Sequence, residues 1–79
     1  MSSVKDFIRQ EIKNLVFKQV QNEDSLIKAG VLDSITAVDL AVAIENEYGL
    51  QIPFTEITAE NFESIENIYQ YLLTKGLNP

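Results

Sequence analysis

Apolar residues recur at intervals of three and four in three separate stretches of the chain, which begin at Val4, Ala37 and Ile65. This spacing lines apolar side chains along one face of a helix. No stretch shows the alternation of apolar and polar residues that is typical of a half-buried strand. The 79 residues are enough for one small core. We therefore predict an all-α fold: a small four-helix bundle, with three longer helices and one short helix, as a single domain over residues 1–79.

The predicted helices cover residues 3–17, 34–48, 58–62 and 64–75. Their starts coincide with side chains that accept hydrogen bonds from the free backbone N–H groups of a first turn. These candidate caps are Ser3, Asp33, Thr58 and Ser64. Ser3 and Asp6 have the spacing of a capping box, with Asp in place of the usual Glu. Gly49 and Gly76 follow two of the predicted helices as terminators.

A long connection is predicted over residues 18–33. Loops of more than about 12 residues are uncommon unless they are functional or anchored. We expect four apolar side chains to anchor this loop in the core: Leu26, Ile27, Val31 and Leu32.

The residue types that are missing exclude several functions. The chain has no Cys and no His, which rules out disulfides, thiolate metal sites and a Ser-His catalytic pair. The acidic residues lack the alternating Asp/Asn loop of a calcium-binding EF-hand, so no metal site is predicted. No apolar run approaches the roughly 18 residues that span a membrane, and the start of the chain lacks the pattern of a signal peptide. We expect a cytoplasmic protein that does not insert into membranes and is not an enzyme.

Charge is unevenly distributed along the chain. Residues 29–74 hold eight acidic and no basic residues, within a total net charge of −6. Three of the bases, Lys5, Arg9 and Lys13, lie on the predicted solvated face of the first helix. The acidic stretch excludes nucleic acid as a partner and favours partners with basic surfaces. A surface that only improves solubility is the alternative.

The predicted second helix has two apolar strips instead of one. The strip assigned to the core contains Ala37, Leu40, Ala41, Ile44 and Tyr48. The second strip contains Ile35, Val38 and Val42, and Ser34 and Glu45 separate it from the first. A small bundle needs one apolar face for each helix, so the second strip is available to a partner. Extra packing under the long loop is the alternative.

Ser34 stands at the start of this helix. No base in the chain can activate it as a nucleophile, but another enzyme can modify it. A phosphodiester at this position would be favoured by the positive end of the helix dipole. The alternative is that Ser34 only helps to begin the helix, as Asp-Ser pairs commonly do.

Three segments together resemble the acyl carrier protein family. They are GVLDSI at 30–35, VDL at 38–40 and AIENEYGLQIP at 43–53, and the similarity extends over most of residues 4–73. The resemblance implies that a phosphopantetheinyl transferase attaches 4′-phosphopantetheine, taken from coenzyme A, to Ser34. It also implies that partner enzymes dock on the second helix. The residues that match this docking surface are Asp33, Ile35, Val38, Asp39, Val42, Glu45 and Glu47.

The implied function is to carry acyl, aminoacyl or polyketide intermediates as thioesters. The implied partners are an acyl- or amino-acid-activating ligase and downstream synthases or transferases, which meet a monomeric carrier. The sequence departs from fatty-acid carriers at Thr36, Asn46 and Phe54, and the segment Gly-Val-Leu-Asp-Ser is more similar to free-standing carriers of amino-acid-activating or specialised-metabolite systems. A primary fatty-acid carrier and an unmodified acidic adapter remain the alternatives.

Overall fold

Four α-helices and one short 3-10 turn make up the computed structural model, which describes residues 3–77 and shows no strand within them. The helices are α1 (Val4–Val16), α2 (Ser34–Tyr48), α3 (Ala59–Phe62) and α4 (Ile65–Thr74), and the 3-10 turn covers Phe54–Glu56. The predicted all-α bundle of three longer helices and one short helix is confirmed. The predicted domain limits of 1 and 79 lie outside the described residues.

Local hydrogen bonds fix the helix ends. At the start of α1, the Ser3 hydroxyl accepts a bond from the Asp6 N–H at 3.1 Å, and the Asp6 carboxylate accepts one from the Ser3 N–H at 3.3 Å. This is the predicted capping box. The helix ends at Phe17, which takes a left-handed conformation with φ of 60°. Gly49 ends α2 in the same conformation with φ of 67°, where glycine has no steric penalty.

The core lies between α1, α2 and α4 and includes the long loop. Leu26 and Leu32 are buried as predicted, while Ile27 and Val31 pack against the core in a partly buried state. Val20 is a further buried anchor near the start of the loop. The Leu26 N–H also donates to the Glu63 carbonyl at 2.6 Å. The loop is therefore part of the bundle, which sets the position of the residues that lead into α2.

The basic face of α1 is not simply solvated, which corrects the prediction for two of its three residues. Lys5 forms an ion pair with Glu66 of α4 at 2.6 Å. Arg9 forms an ion pair with Asp6 at 2.7 Å and also donates a hydrogen bond to the Asn22 side chain in the long loop. Asp6 lies one turn from Arg9 on α1, whereas Glu66 and Asn22 lie on α4 and in the loop, and sequence spacing within α1 gives no information about those two partners.

Candidate functional site

Ser34 is the first residue of α2 and is exposed to solvent. The cap of this helix is made by its neighbours. One oxygen of the Asp33 carboxylate accepts from the N–H groups of Ile35 at 2.9 Å and Thr36 at 2.8 Å, and the Thr36 hydroxyl accepts from the Asp33 N–H at 2.8 Å. The start of α2 therefore does not depend on the Ser34 hydroxyl, which is left available for chemistry.

The Asp33 carboxylate is held in its ionised form. The hydrogen bond from the Thr36 N–H is the main reason that its pKa lies below the usual value, and the Thr36 hydroxyl adds to this effect. A fixed negative charge thus stands beside Ser34, at the end of the helix where backbone N–H groups favour anions. Across residues 3–77, no group of three or more carboxylates is placed to hold a metal ion.

A cavity of about 220 Å³ opens next to Ser34. It lies where the end of the long loop, the start of α2, the 3-10 turn and α3 meet. Ser34 and Asp33 form part of its wall, and most of the other lining residues are apolar. The apolar lining consists of Ile27, Leu32, Ala37, Phe54, Ile57, Ala59 and Phe62. A group attached to Ser34 would therefore begin at the wall of an apolar cavity.

The two apolar strips of α2 have different environments. Ala37, Leu40, Ala41 and Ile44 are buried, as predicted, and Tyr48 is half-buried. In the second strip, the side chains of Ile35 and Val42 are 71% and 46% exposed, and that of Val38 is half-buried. The alternative that this strip packs under the long loop does not hold for Ile35 and Val42.

The acidic residues of α2 are not equivalent. Asp39 and Glu47 are exposed, whereas Glu45 is half-buried and accepts a hydrogen bond from the Ile52 N–H at 2.6 Å. Glu45 thus holds the connector that follows α2, in addition to contributing charge. All three were predicted from the sequence as docking charges, and charge patterning does not reveal the hydrogen bond between Glu45 and the connector.

The 3-10 turn at Phe54–Glu56 was not predicted from the sequence. Phe54, its first residue, is 73% exposed and lines the cavity beside Ser34. Glu56, its last residue, accepts a hydrogen bond from the Tyr71 hydroxyl and pairs with Lys75 at 3.2 Å. One signal was present in the sequence: Phe54 is a large apolar residue that fits none of the helical stripes.

These features describe a small helical protein with an exposed serine at a helix start, next to an apolar cavity. A sequence profile described as "Phosphopantetheine attachment site" matches residues 6–72, and the chain belongs to this family. It is similar to the D-alanyl carrier protein of Bacillus velezensis, with 33% identity over 72 aligned positions that cover 81% of this chain and 91% of the relative. It is also similar to aminoacyl carrier protein 1 of Bradyrhizobium diazoefficiens, with 33% identity over 63 positions that cover 80% of this chain and 69% of the relative.

Membership in this family defines a carrier and not an enzyme, with 4′-phosphopantetheine as the prosthetic group. The residues of the structure fit that group: an exposed hydroxyl at the N-terminus of a 15-residue helix suits a phosphodiester, and the apolar cavity suits the carbon chain beyond it. None of the helices within residues 3–77 has the length and apolar character needed to cross a bilayer.

Proposed function

We propose that Ser34 carries the 4′-phosphopantetheine arm and that the protein presents a small acyl group, an aminoacyl group above all, as a thioester on that arm. The observation that carries this proposal is that the Ser34 side chain is exposed and makes no capping hydrogen bond. Its side chain is exposed at the first position of α2, while Asp33 and Thr36 make the capping hydrogen bonds. Modification of Ser34 therefore costs the fold no capping contact.

The chemistry of loading belongs to partner enzymes. The chain has no His or Cys, so it lacks both the usual base and a thiol of its own. The arm supplies the thiol that holds the cargo when it is bound. The residues of the chain would orient the start of the arm: the N-terminus of α2 would favour its phosphodiester, and the charge of Asp33 would restrict the directions that an anion at Ser34 can take.

One observation supports a small aminoacyl cargo over a long fatty-acyl chain: both similar proteins named above are carriers of amino acids by name. A primary fatty-acid carrier or a polyketide carrier is the second candidate within the same family.

The docking surface of the proposed carrier combines charge with apolar contact. Its members are the seven residues that match the docking surface of the resembled family: Asp33, Ile35, Val38, Asp39, Val42, Glu45 and Glu47. Asp39 and Glu47 are exposed charges, and Ile35 and Val42 are exposed apolar side chains on the same helix. Such a surface suits partners with basic patches around an apolar centre. The proposed partners are a phosphopantetheinyl transferase, an amino-acid- or acyl-activating ligase and a downstream transferase or synthase, acting on a cytoplasmic monomer.

Intact-mass spectrometry tests the attachment site. Incubation with coenzyme A and a promiscuous transferase should add one phosphopantetheine to the wild-type protein and none to Ser34→Ala. Ser3→Ala is the matched control, since Ser3 is another exposed serine at a helix start and its loss should not affect labelling. Labelling of Ser34→Ala would refute the assignment, and an unlabelled wild type would favour the unmodified adapter.

The mass of the protein isolated from its native host tests the cargo. A mass increase equal to the arm plus one amino acid would support the aminoacyl assignment. A long acyl chain on the arm would contradict it while leaving the attachment site intact.

A further inference from the structure

Phe54 places a large apolar side chain beside Ser34. It is 73% exposed, and it stands on the wall of the same cavity as Ser34. A single exposed apolar residue is ordinary on a protein surface and by itself indicates nothing. Phe54 differs from such a residue because the turn that carries it is held in place by an independent set of polar contacts.

These contacts connect the 3-10 turn to α4. The Tyr71 side chain is buried, and its hydroxyl donates a hydrogen bond to Glu56 Oε1. Lys75 Nζ lies 3.2 Å from the same oxygen. On the other side, the Asn61 amide donates to the Glu56 carbonyl at 2.9 Å. Glu56 is thus held by three groups, and the Ile57 N–H donates to the Phe54 carbonyl at 3.0 Å, so the backbone that carries Phe54 is held in place.

The protonation states of Glu56 and Tyr71 agree with the hydrogen bond between them. The hydrogen bond from Tyr71 and the neighbouring Lys75 hold the pKa of the Glu56 carboxyl below its usual value, so the carboxylate is charged at neutral pH. Burial, together with the bond to Glu56, raises the pKa of the Tyr71 hydroxyl, which keeps its proton as a donor. Both partners are therefore in the forms that the hydrogen bond requires.

A group attached to Ser34 is tethered at the wall of this cavity, so its first atoms are at a high effective concentration there. The carbon next to the first methylene group of phosphopantetheine bears two methyl groups. This branched apolar unit complements a cavity lined by Phe54, Ile57, Ala59 and Phe62. The phosphodiester remains at the exposed, hydrogen-bonding end of the site, at the N-terminus of α2.

We propose that Phe54 is an arm-contacting residue, whose ring packs on the dimethyl unit of the arm at Ser34 and closes the cavity over it, and that Glu56 and Tyr71 are positioning residues that hold the ring there. This inference rests on the proposed function. It assigns the three residues a task in orienting the arm, which restricts the directions from which a partner enzyme reaches the thioester.

NMR of the arm-loaded protein tests this contact directly. An aromatic ring shifts the signals of methyl protons packed on its face. We expect the two methyl signals of the arm to differ from those of free coenzyme A and to show nuclear Overhauser contacts with the Phe54 ring. In Phe54→Ser the contacts to residue 54 should disappear and the methyl signals should move toward those of free coenzyme A, and in Phe54→Leu the signals should move in the same direction while contacts to the leucine methyl groups appear. Phe17→Ser is the matched control, since Phe17 is 87% exposed and lies at the end of α1.

Tyr71→Phe tests the positioning role, because it removes one hydroxyl and keeps the ring in the core. The arm's methyl signals should move toward those of free coenzyme A. Tyr48→Phe removes a hydroxyl near the far end of α2, about 20 Å along the helix from Ser34, and should leave the signals unchanged. A melting temperature measured on both variants separates loss of stability from loss of positioning.

Each outcome decides a separate point. Wild-type methyl signals equal to those of free coenzyme A, or unchanged in Phe54→Ser, would overturn the contact. If Tyr71→Phe lowers the melting temperature and leaves the methyl signals in place, the hydrogen bond between Tyr71 and Glu56 only stabilises the fold, and the positioning role is wrong. Failure of the wild type to accept the arm would overturn the proposed function instead, and the mass spectrum detects that result before any NMR is recorded.

Discussion

Glu45 accepts a hydrogen bond of 2.6 Å from the backbone N–H of Ile52, seven residues further along the chain. This bond spans the end of α2 and fixes the extended connector that leads to the 3-10 turn. Ile52 is buried, so its N–H has little access to water as an alternative partner. Glu45, which the charge pattern assigns to partner docking, therefore also stabilises the fold. Docking experiments have to separate these two roles of Glu45.

The first prediction measures the structural task of Glu45. Glu45→Ala leaves the Ile52 N–H without its acceptor, and we expect the free energy of unfolding to fall by about 1–3 kcal/mol. Glu45→Gln keeps an oxygen at the same position and should recover most of that loss. Denaturant unfolding of the three proteins provides the measurement. Equal stability of the wild type and Glu45→Ala would mean that the bond contributes nothing to the fold.

The second prediction concerns the electrostatic attraction of partners. Asp39 and Glu47 are exposed on α2, and Glu60 is an exposed acid on α3. If docking takes place on α2, kcat/KM of a phosphopantetheinyl transferase should fall more for Asp39→Lys and Glu47→Lys than for Glu60→Lys. Added salt should lower the loading rate of the wild type. It should lower the rates of Asp39→Lys and Glu47→Lys less, because fewer charge pairs remain to be screened. Similar effects at all three positions would indicate a general field without a docking face.

The third prediction uses the carboxylate of Glu56. Its pKa is lowered in the folded protein from an ordinary value of 4.5, since the Tyr71 hydroxyl and Lys75 stabilise the charged form. Such a group stabilises the fold above the ordinary value, and that contribution is lost as the pH falls through the lowered folded value. The wild type should therefore be more stable than Glu56→Gln at neutral pH, and the difference should shrink as the pH falls below about 4.5.

Denaturant unfolding at a series of pH values measures this difference. Glu60→Gln is the control for removal of one negative charge from an exposed position in the same acidic stretch. A stability difference between the wild type and Glu56→Gln that stays constant down to pH values well below 4.5 would contradict the assignment of the lowered pKa to Glu56.

The helix ends were predictable because their causes are local. Asp33 caps α2 through N–H groups two and three residues away, and Gly49 ends the helix through its own backbone conformation. The absence of a capping role for the Ser34 hydroxyl follows from the same local geometry. A single sequence contains all the information that these features need.

The contacts that were missed join distant parts of the chain. Lys5 and Glu66 are 61 residues apart, and Glu56 and Tyr71 are 15 residues apart. The cavity beside Ser34 is lined by the loop, α2, the 3-10 turn and α3, so it exists only once these segments pack together. Periodicity within one segment gives no information about such packing, and for this reason Phe54 was absent from the predicted site.

The last prediction separates the two apolar strips of α2. Ile44 is fully buried, so Ile44→Ala should cost about 2–5 kcal/mol through lost contacts and the cavity left behind. That is a large part of the total stability of about 5–15 kcal/mol that is usual for a natural domain. Val42 is 46% exposed on the other strip, and Val42→Asp should leave the melting temperature nearly unchanged. The new charge must lose water when a partner covers it, so loading by the transferase should still slow. Thermal melts and loading rates of the two variants provide the measurement. Unfolding of Val42→Asp to the same extent as Ile44→Ala would show that Val42 supports the core and that its strip is not a docking surface.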